Sequence, residues 1–112
     1  MPFVVQLILP LCDNNGREFS ADMSKRVRTE LTDKFGGLTA YTRAPAEGTW
    51  RDSEGRTQRD DVVIVEVMTA TLDRGWWMPY VRELATRFGQ EELVVRAMQF
   101  EDLTARNPSE NE

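Results

Sequence analysis

An α+β domain is predicted, with four antiparallel strands and two helices on one face, in the order β-α-β-β-α-β. Three observations predict it. Short β-rich runs at Phe3–Leu9, Asp61–Thr69 and Leu93–Phe100 alternate with two stretches of helical apolar spacing. Glycines or a proline close each of these stretches. The 112-residue chain is one ordinary domain long, 40% hydrophobic and 29% charged, which fits a soluble fold and excludes disorder or collagen.

Phe3 to Leu9, bounded by Pro10, reads as the first strand, and Asp13-Asn14-Asn15-Gly16 as a turn, because Asn and Gly tolerate positive φ. Ser20 sits where an N-cap belongs. Met23, Val27, Leu31 and Phe35 then recur at four-residue steps, with Lys25, Arg26, Arg28 and Asp33 off the stripe. Gly36-Gly37 ends this first helix.

Leu38 to Arg43 is the second strand, interrupted by Ala44-Pro45-Ala46-Glu47-Gly48, since proline cannot donate to a ladder. Thr49-Trp50-Arg51 and Arg56-Thr57-Gln58 make hairpin arms around Asp52-Ser53-Glu54-Gly55. The third strand is Asp61 to Thr69. Asp73 caps a second helix whose apolar stripe is Trp77, Val81, Leu84 and Phe88, with Pro79 kinking it or moving its start nearer Trp76, and Gly89 closing it. Leu93 to Phe100 is the fourth strand. Two right-handed crossovers joined by a hairpin give a ferredoxin-like sheet in the order fourth, first, third, second. The domain spans 1–103; 104–112 is an acidic tail expected to be disordered.

Strand alternation divides the sheet into two faces. Phe3, Val5, Leu7, Leu9, Val63, Val65, Val67, Leu93, Val95 and Ala97 carry no charge and are assigned to the helices. The open face takes Val4, Gln6, Ile8, Val62, Ile64, Glu66, Met68, Val94, Arg96, Met98 and Phe100, with Thr39, Tyr41 and Arg43. It is too apolar to stay in water, so a homodimer through this face is expected. Gln6, Glu66 and Arg96 fall mid-strand and form a lateral row, with Tyr41 and Arg43 at its far end. Either they satisfy one another or a symmetry mate, or they line a pocket in which an arginine holds an anionic group and Glu66 acts as base or acceptor. Trp76 and Tyr80, spaced i, i+4, pack or line a pocket. The candidate pocket set is therefore Gln6, Tyr41, Arg43, Glu66, Arg96, Trp76 and Tyr80, with a small anionic or aromatic ligand.

The chain has no histidine and one cysteine, Cys12. This excludes a Ser-His-Asp or Cys-His pair, His-ligated haem and an ordinary closed zinc site within one chain. No metal or cofactor is expected. A net charge of −5 gives no uniformly basic surface for nucleic acid, and the K/R-G-F/Y pattern of RNA-binding sheets is absent. The apolar N-terminal run is far shorter than the roughly 20 residues of a membrane span, so a cytoplasmic protein is expected. Glu47, Asp60, Asp61, Glu91 and Glu92 read as a solvated face, and Trp50 as packing over the sheet edge.

The β-α-β-β-α-β order and apolar open face resemble the dimeric α/β-barrel group, which includes antibiotic-biosynthesis monooxygenase-like and muconolactone isomerase-like proteins. Phe35-Gly36-Gly37-Leu38-Thr39, Gly48-Thr49-Trp50-Arg51 and Gly55-Arg56 resemble an uncharacterised bacterial domain family with a G-L-T…G-x-W hairpin. These resemblances imply a fold and not a reaction. The catalytic and haem-binding histidines of several barrel relatives are missing, so no catalytic residue carries over. Two readings stay open: a small-molecule-binding domain or cofactor-independent enzyme, and a ligand-sensing or oligomerisation module without chemistry.

Overall fold

The computed structural model describes residues 1–41, 48–51, 57–60 and 62–108. In chain order the elements are β1 (Phe3–Pro10), α1 (Ala21–Phe35), β2 (Thr39–Tyr41), β3 (Gly48–Arg51), β4 (Thr57–Asp60), β5 (Val62–Thr69), α2 (Arg74–Arg87) and β6 (Val95–Gln99). Four of the strands form one sheet, in the order β2-β5-β1-β6, with every neighbouring pair antiparallel. This is the ferredoxin-like arrangement that the pattern predicts. β3 and β4 pair with each other as a separate two-stranded sheet, Trp50 opposite Gln58. The expected interruption at 44–47, the hairpin turn at 52–55, Arg43 and Asp61 lie outside the described residues, as does the end of the tail.

Burial follows the strand alternation. Val5, Leu7 and Leu9 of β1 and Val63, Val65 and Val67 of β5 are buried, and they meet Val27 and Leu31 of α1 and Trp77, Tyr80 and Leu84 of α2. Phe88 closes one end of this core against Phe19, the rings edge-on at 5.3 Å. No charged or polar residue is buried among the described residues. Ala97 departs from its expected burial. It lies on the helix side of the edge strand β6, beside a shallow apolar cleft lined by Leu72, Trp77 and Val81, and stays exposed.

The first turn forms as its chemistry requires: Asp13 Oδ1 accepts from the amides of Asn15 (2.8 Å) and Arg17 (2.9 Å), and Gly16 takes φ 81°. The helix caps differ from each other. Ser20 stands at the N-cap of α1, but its hydroxyl makes no capping bond; its carbonyl accepts from Met23 instead. Asp73 does cap α2, its Oδ1 accepting from the Trp76 amide at 3.2 Å. Gly36 takes the left-handed C-cap of α1 at φ 85° and donates its N–H to the Thr32 carbonyl. Pro79 lies within α2, which starts at Arg74. Lacking an N–H, Pro79 leaves the Gly75 carbonyl without its helical donor. Leu93 is buried ahead of β6, which begins at Val95.

The core face of α2 is rotated from the expected stripe. Tyr80 is buried between Trp77 and Leu84, while Val81 only packs against the core's rim. The reason lies in α1: the Tyr80 hydroxyl donates to Glu30 Oε1 at 2.9 Å, so the ring is buried with its polar tip satisfied.

Candidate functional site

On the face away from the helices, the register places Gln6 directly opposite both Glu66 and Arg96. Arg96 Nε donates to Gln6 Oε1 at 2.7 Å, and Gln6 Nε2 donates to Glu66 Oε2 at 2.9 Å. A guanidinium has donors only, so it fixes which end of the Gln6 amide faces it, and the NH₂ end must turn to an acceptor. Glu66 supplies that acceptor. The row of three thus forms one directional chain of hydrogen bonds across three strands. Its far end is Thr39, which pairs with Glu66; Tyr41 lies opposite Ile64, two residue pairs along.

Beside Glu66 the sheet face meets the end of α1. A groove of about 620 Å³ opens there, lined by Val4, Glu66 and Met68 on the sheet, by Thr39 and Tyr41 of β2, and by Phe35 and Gly36–Leu38. Among the described residues lining it, Glu66 is the one charged side chain. Arg96 does not reach it, being held by Gln6 on the far side of β1. The expectation that an arginine holds an anion beside Glu66 therefore finds no support in Arg96, and Arg43 lies outside the described residues. Around the groove the sheet face stays apolar: Met68 is 68% exposed, and Tyr41, Val94 and Met98 are also exposed.

Trp76 and Tyr80 sit elsewhere. Both belong to α2, in the layer on the opposite side of the sheet, so the candidate set divides into two groups. Trp76 stacks on Tyr80 at 4.7 Å, meets Phe35 edge-on at 5.4 Å and carries Lys34 Nζ over its ring at 5.2 Å. Below this cluster an ionic clamp joins the helices. Arg87 donates to both oxygens of Glu30 (2.7 and 3.2 Å) and bridges Glu83 at 3.1 Å. The Arg87 bonds hold the Glu30 carboxyl below its ordinary range against the opposing effect of its partial burial, with the Tyr80 hydroxyl helping. Burial, reinforced by Glu30, pushes the Tyr80 phenol well above its ordinary value. Glu30, Tyr80, Glu83 and Arg87 are each bonded within the clamp, which suits a brace better than a reacting centre.

The sequence reading missed the wall of the groove. Gly36-Gly37 reads as a helix stop and nothing more, and Phe35 as core. The available signal was the position of the lone acid of the valine-rich strand, which a ferredoxin-like topology sets beside the α1–β2 connection. The described residues bring together no group of three or more His, Cys, Asp or Glu able to hold a metal ion. No helix among them is long and apolar enough to cross a membrane.

No family model matches the chain, and no curated protein matches it. Solved structures do. A phage SAM lyase in complex with S-methyl-5′-thioadenosine superposes with TM-score 0.58 at 14% identity, over 88% of this chain and 81% of that one. The divalent cation tolerance protein CutA1 of Thermus thermophilus gives TM-score 0.58 at 13% identity, over 99% of this chain and 91% of its own. CutA1 of Oryza sativa gives 0.59 at 12%, over 92% and 83%. The likeness is one of fold. At these identities it shows that the ferredoxin-like architecture is shared, and no residue role is transferred.

Proposed function

We propose that this chain is a small-molecule-binding domain that works as a homodimer, in the manner of the dimeric α/β-barrel group, with its ligand in the groove beside Glu66. One observation carries the reading: the open face combines an exposed apolar surface with a polar row whose three members hydrogen-bond one another. An identical face laid over it buries mostly apolar surface, and Gln6 in the middle of the row already has both ends of its amide paired. Apolar patches of this sort on small domains mark interfaces or ligand grooves, and here the two adjoin. The mate would roof the groove and leave Glu66 as the acceptor inside it. With one cysteine and no disulfide to form, we place the protein in the cytoplasm.

The test has two arms. Light scattering at micromolar concentration is expected to give a dimer, and Met98→Asp a folded monomer. Thermal-shift and native mass spectrometry against a metabolite panel are expected to find a ligand whose effect is lost in Met68→Asp; the panel includes S-methyl-5′-thioadenosine, which the phage lyase structure holds. A monomeric wild type with the face solvated overturns the dimer. A dimer that binds nothing favours the second reading, an oligomerisation module, to which the exposed Val94 and Met98 at the β6 edge also point.

A further inference from the structure

The binding reading leaves the chemistry of the ligand open, and three features of the groove agree on its charge. Glu66 is the charged side chain of the described lining, and its Oε2 already accepts from Gln6. Its Oε1 has no hydrogen-bond partner among the described residues. The second feature is the end of α1. Phe35 and Gly36 form part of the wall, and the C-terminus of a helix carries the negative end of the backbone dipole. The third is aromatic: Phe35, one face of which is taken by stacking on Trp77, and the exposed Tyr41 both line the groove, and open ring faces attract cations. An anion meets repulsion from the first two features and gains nothing from the third.

We infer that the groove takes a small organic cation, an N–H-bearing ammonium or guanidinium on an apolar arm, with Glu66 as its counter-ion and Arg96 as a positioning residue. The inference rests on the binding reading above. The cationic head hydrogen-bonds Glu66 Oε1, and the arm lies along Val4 and Met68 toward the rings. Arg96 acts through Gln6. By occupying Gln6 Oε1 it keeps the amide NH₂ on Glu66 Oε2, so the carboxylate keeps one oxygen turned to the groove. Without Arg96 the amide is free to rotate, and the carboxylate loses its fixed orientation.

Three probes of similar shape and different charge separate the possibilities: 2-phenylethylammonium, 2-phenylethanol and phenylacetate. Each is titrated into the full-length wild-type protein and followed by amide chemical shifts. The ammonium is expected to bind about tenfold tighter than the other two, the size of one charge-assisted hydrogen bond. Its shifts centre on Gly36, Gly37, Thr39 and Glu66, and added salt weakens it. Glu66→Gln abolishes the preference among the probes. Arg96→Met reduces the preference while the melting temperature of the protein stays within a few degrees, and Arg96→Lys, which restores a donor, recovers it. Equal binding of all three probes in the groove, or a preference for phenylacetate, overturns the charge assignment and leaves the binding reading standing. A preference that survives in Glu66→Gln overturns it as well. If Arg96→Met keeps the full preference, the positioning role of Arg96 is wrong. If no probe moves the groove amides, the binding reading itself fails, and this inference with it.

Discussion

Replacing Arg87 by methionine keeps most of the aliphatic volume and removes the guanidinium that joins α2 to α1. Arg87 is 10% exposed, while Glu30 keeps 32% of its side chain in contact with water. The two bonds to Glu30 are each of a kind worth about 1.5–3 kcal/mol when buried. Water replaces part of them at a carboxylate exposed to this degree, and the bridge to the 59% exposed Glu83 adds little. A loss of about 1.5–2 kcal/mol at pH 7 follows, or a fall of about 6–8 °C in Tm for a chain of this size. Its pH dependence gives the sharper test. The folded carboxyl of Glu30 is held below its ordinary value of 4.5, so the unfolded chain takes up the proton first. The stabilisation is therefore fully present above pH 4.5 and lost as the pH falls through the lower, folded value. Urea unfolding of wild type and Arg87→Met at pH 7 and pH 3 is expected to show the difference shrinking by more than half. An undiminished difference at pH 3, or none at pH 7, refutes the clamp as an ionic brace.

Tyr80→Phe removes one hydrogen bond to Glu30 and keeps the packing; about 1 kcal/mol in urea unfolding is expected, less than for Arg87→Met. Asp73→Ala is expected to cost about 1 kcal/mol and Ser20→Ala less than about 0.5 kcal/mol by the same assay, because only the first side chain caps its helix. Leu7→Ala, at a fully buried site in a central strand, is expected to cost about 3 kcal/mol in calorimetry. Gly36→Ala is expected to cost about 1 kcal/mol through its positive φ alone, since a Cβ there meets nothing within 4 Å.

The sheet was legible because its two central strands alternate cleanly. Once Val63, Val65 and Val67 share a face, Glu66 has to share the other with Gln6, and the strand order then brings Arg96 alongside. Elements whose position depends on a distant partner were not legible. Tyr80 is core because Glu30, fifty residues earlier in the chain, receives its hydroxyl. Thr39 instead of Tyr41 ends the polar row because the path from Gly36 sets the register of β2, and no local pattern in a three-residue strand records that. Of the groove only Tyr41 and Glu66 were legible, for a related reason. It is a gap between a helix end and a sheet face, and its helix-end wall is Phe35, which otherwise reads as core, with Gly36, Gly37 and Leu38.

The order β2-β5-β1-β6 places the first strand of the chain in the interior of the sheet. Its partners lie 60 and 90 residues further on, as the spacing of Gln6 from Glu66 and Arg96 records. While the chain is being synthesised, Phe3–Pro10 therefore leaves the ribosome long before either neighbour exists. Sheets closed by such distant pairings fold slowly compared with helical bundles, because the loop must close before any contact rewards it. Through that interval the unpaired strand, apolar on both faces apart from Gln6, is the part of the nascent chain with most to lose from meeting another copy of itself.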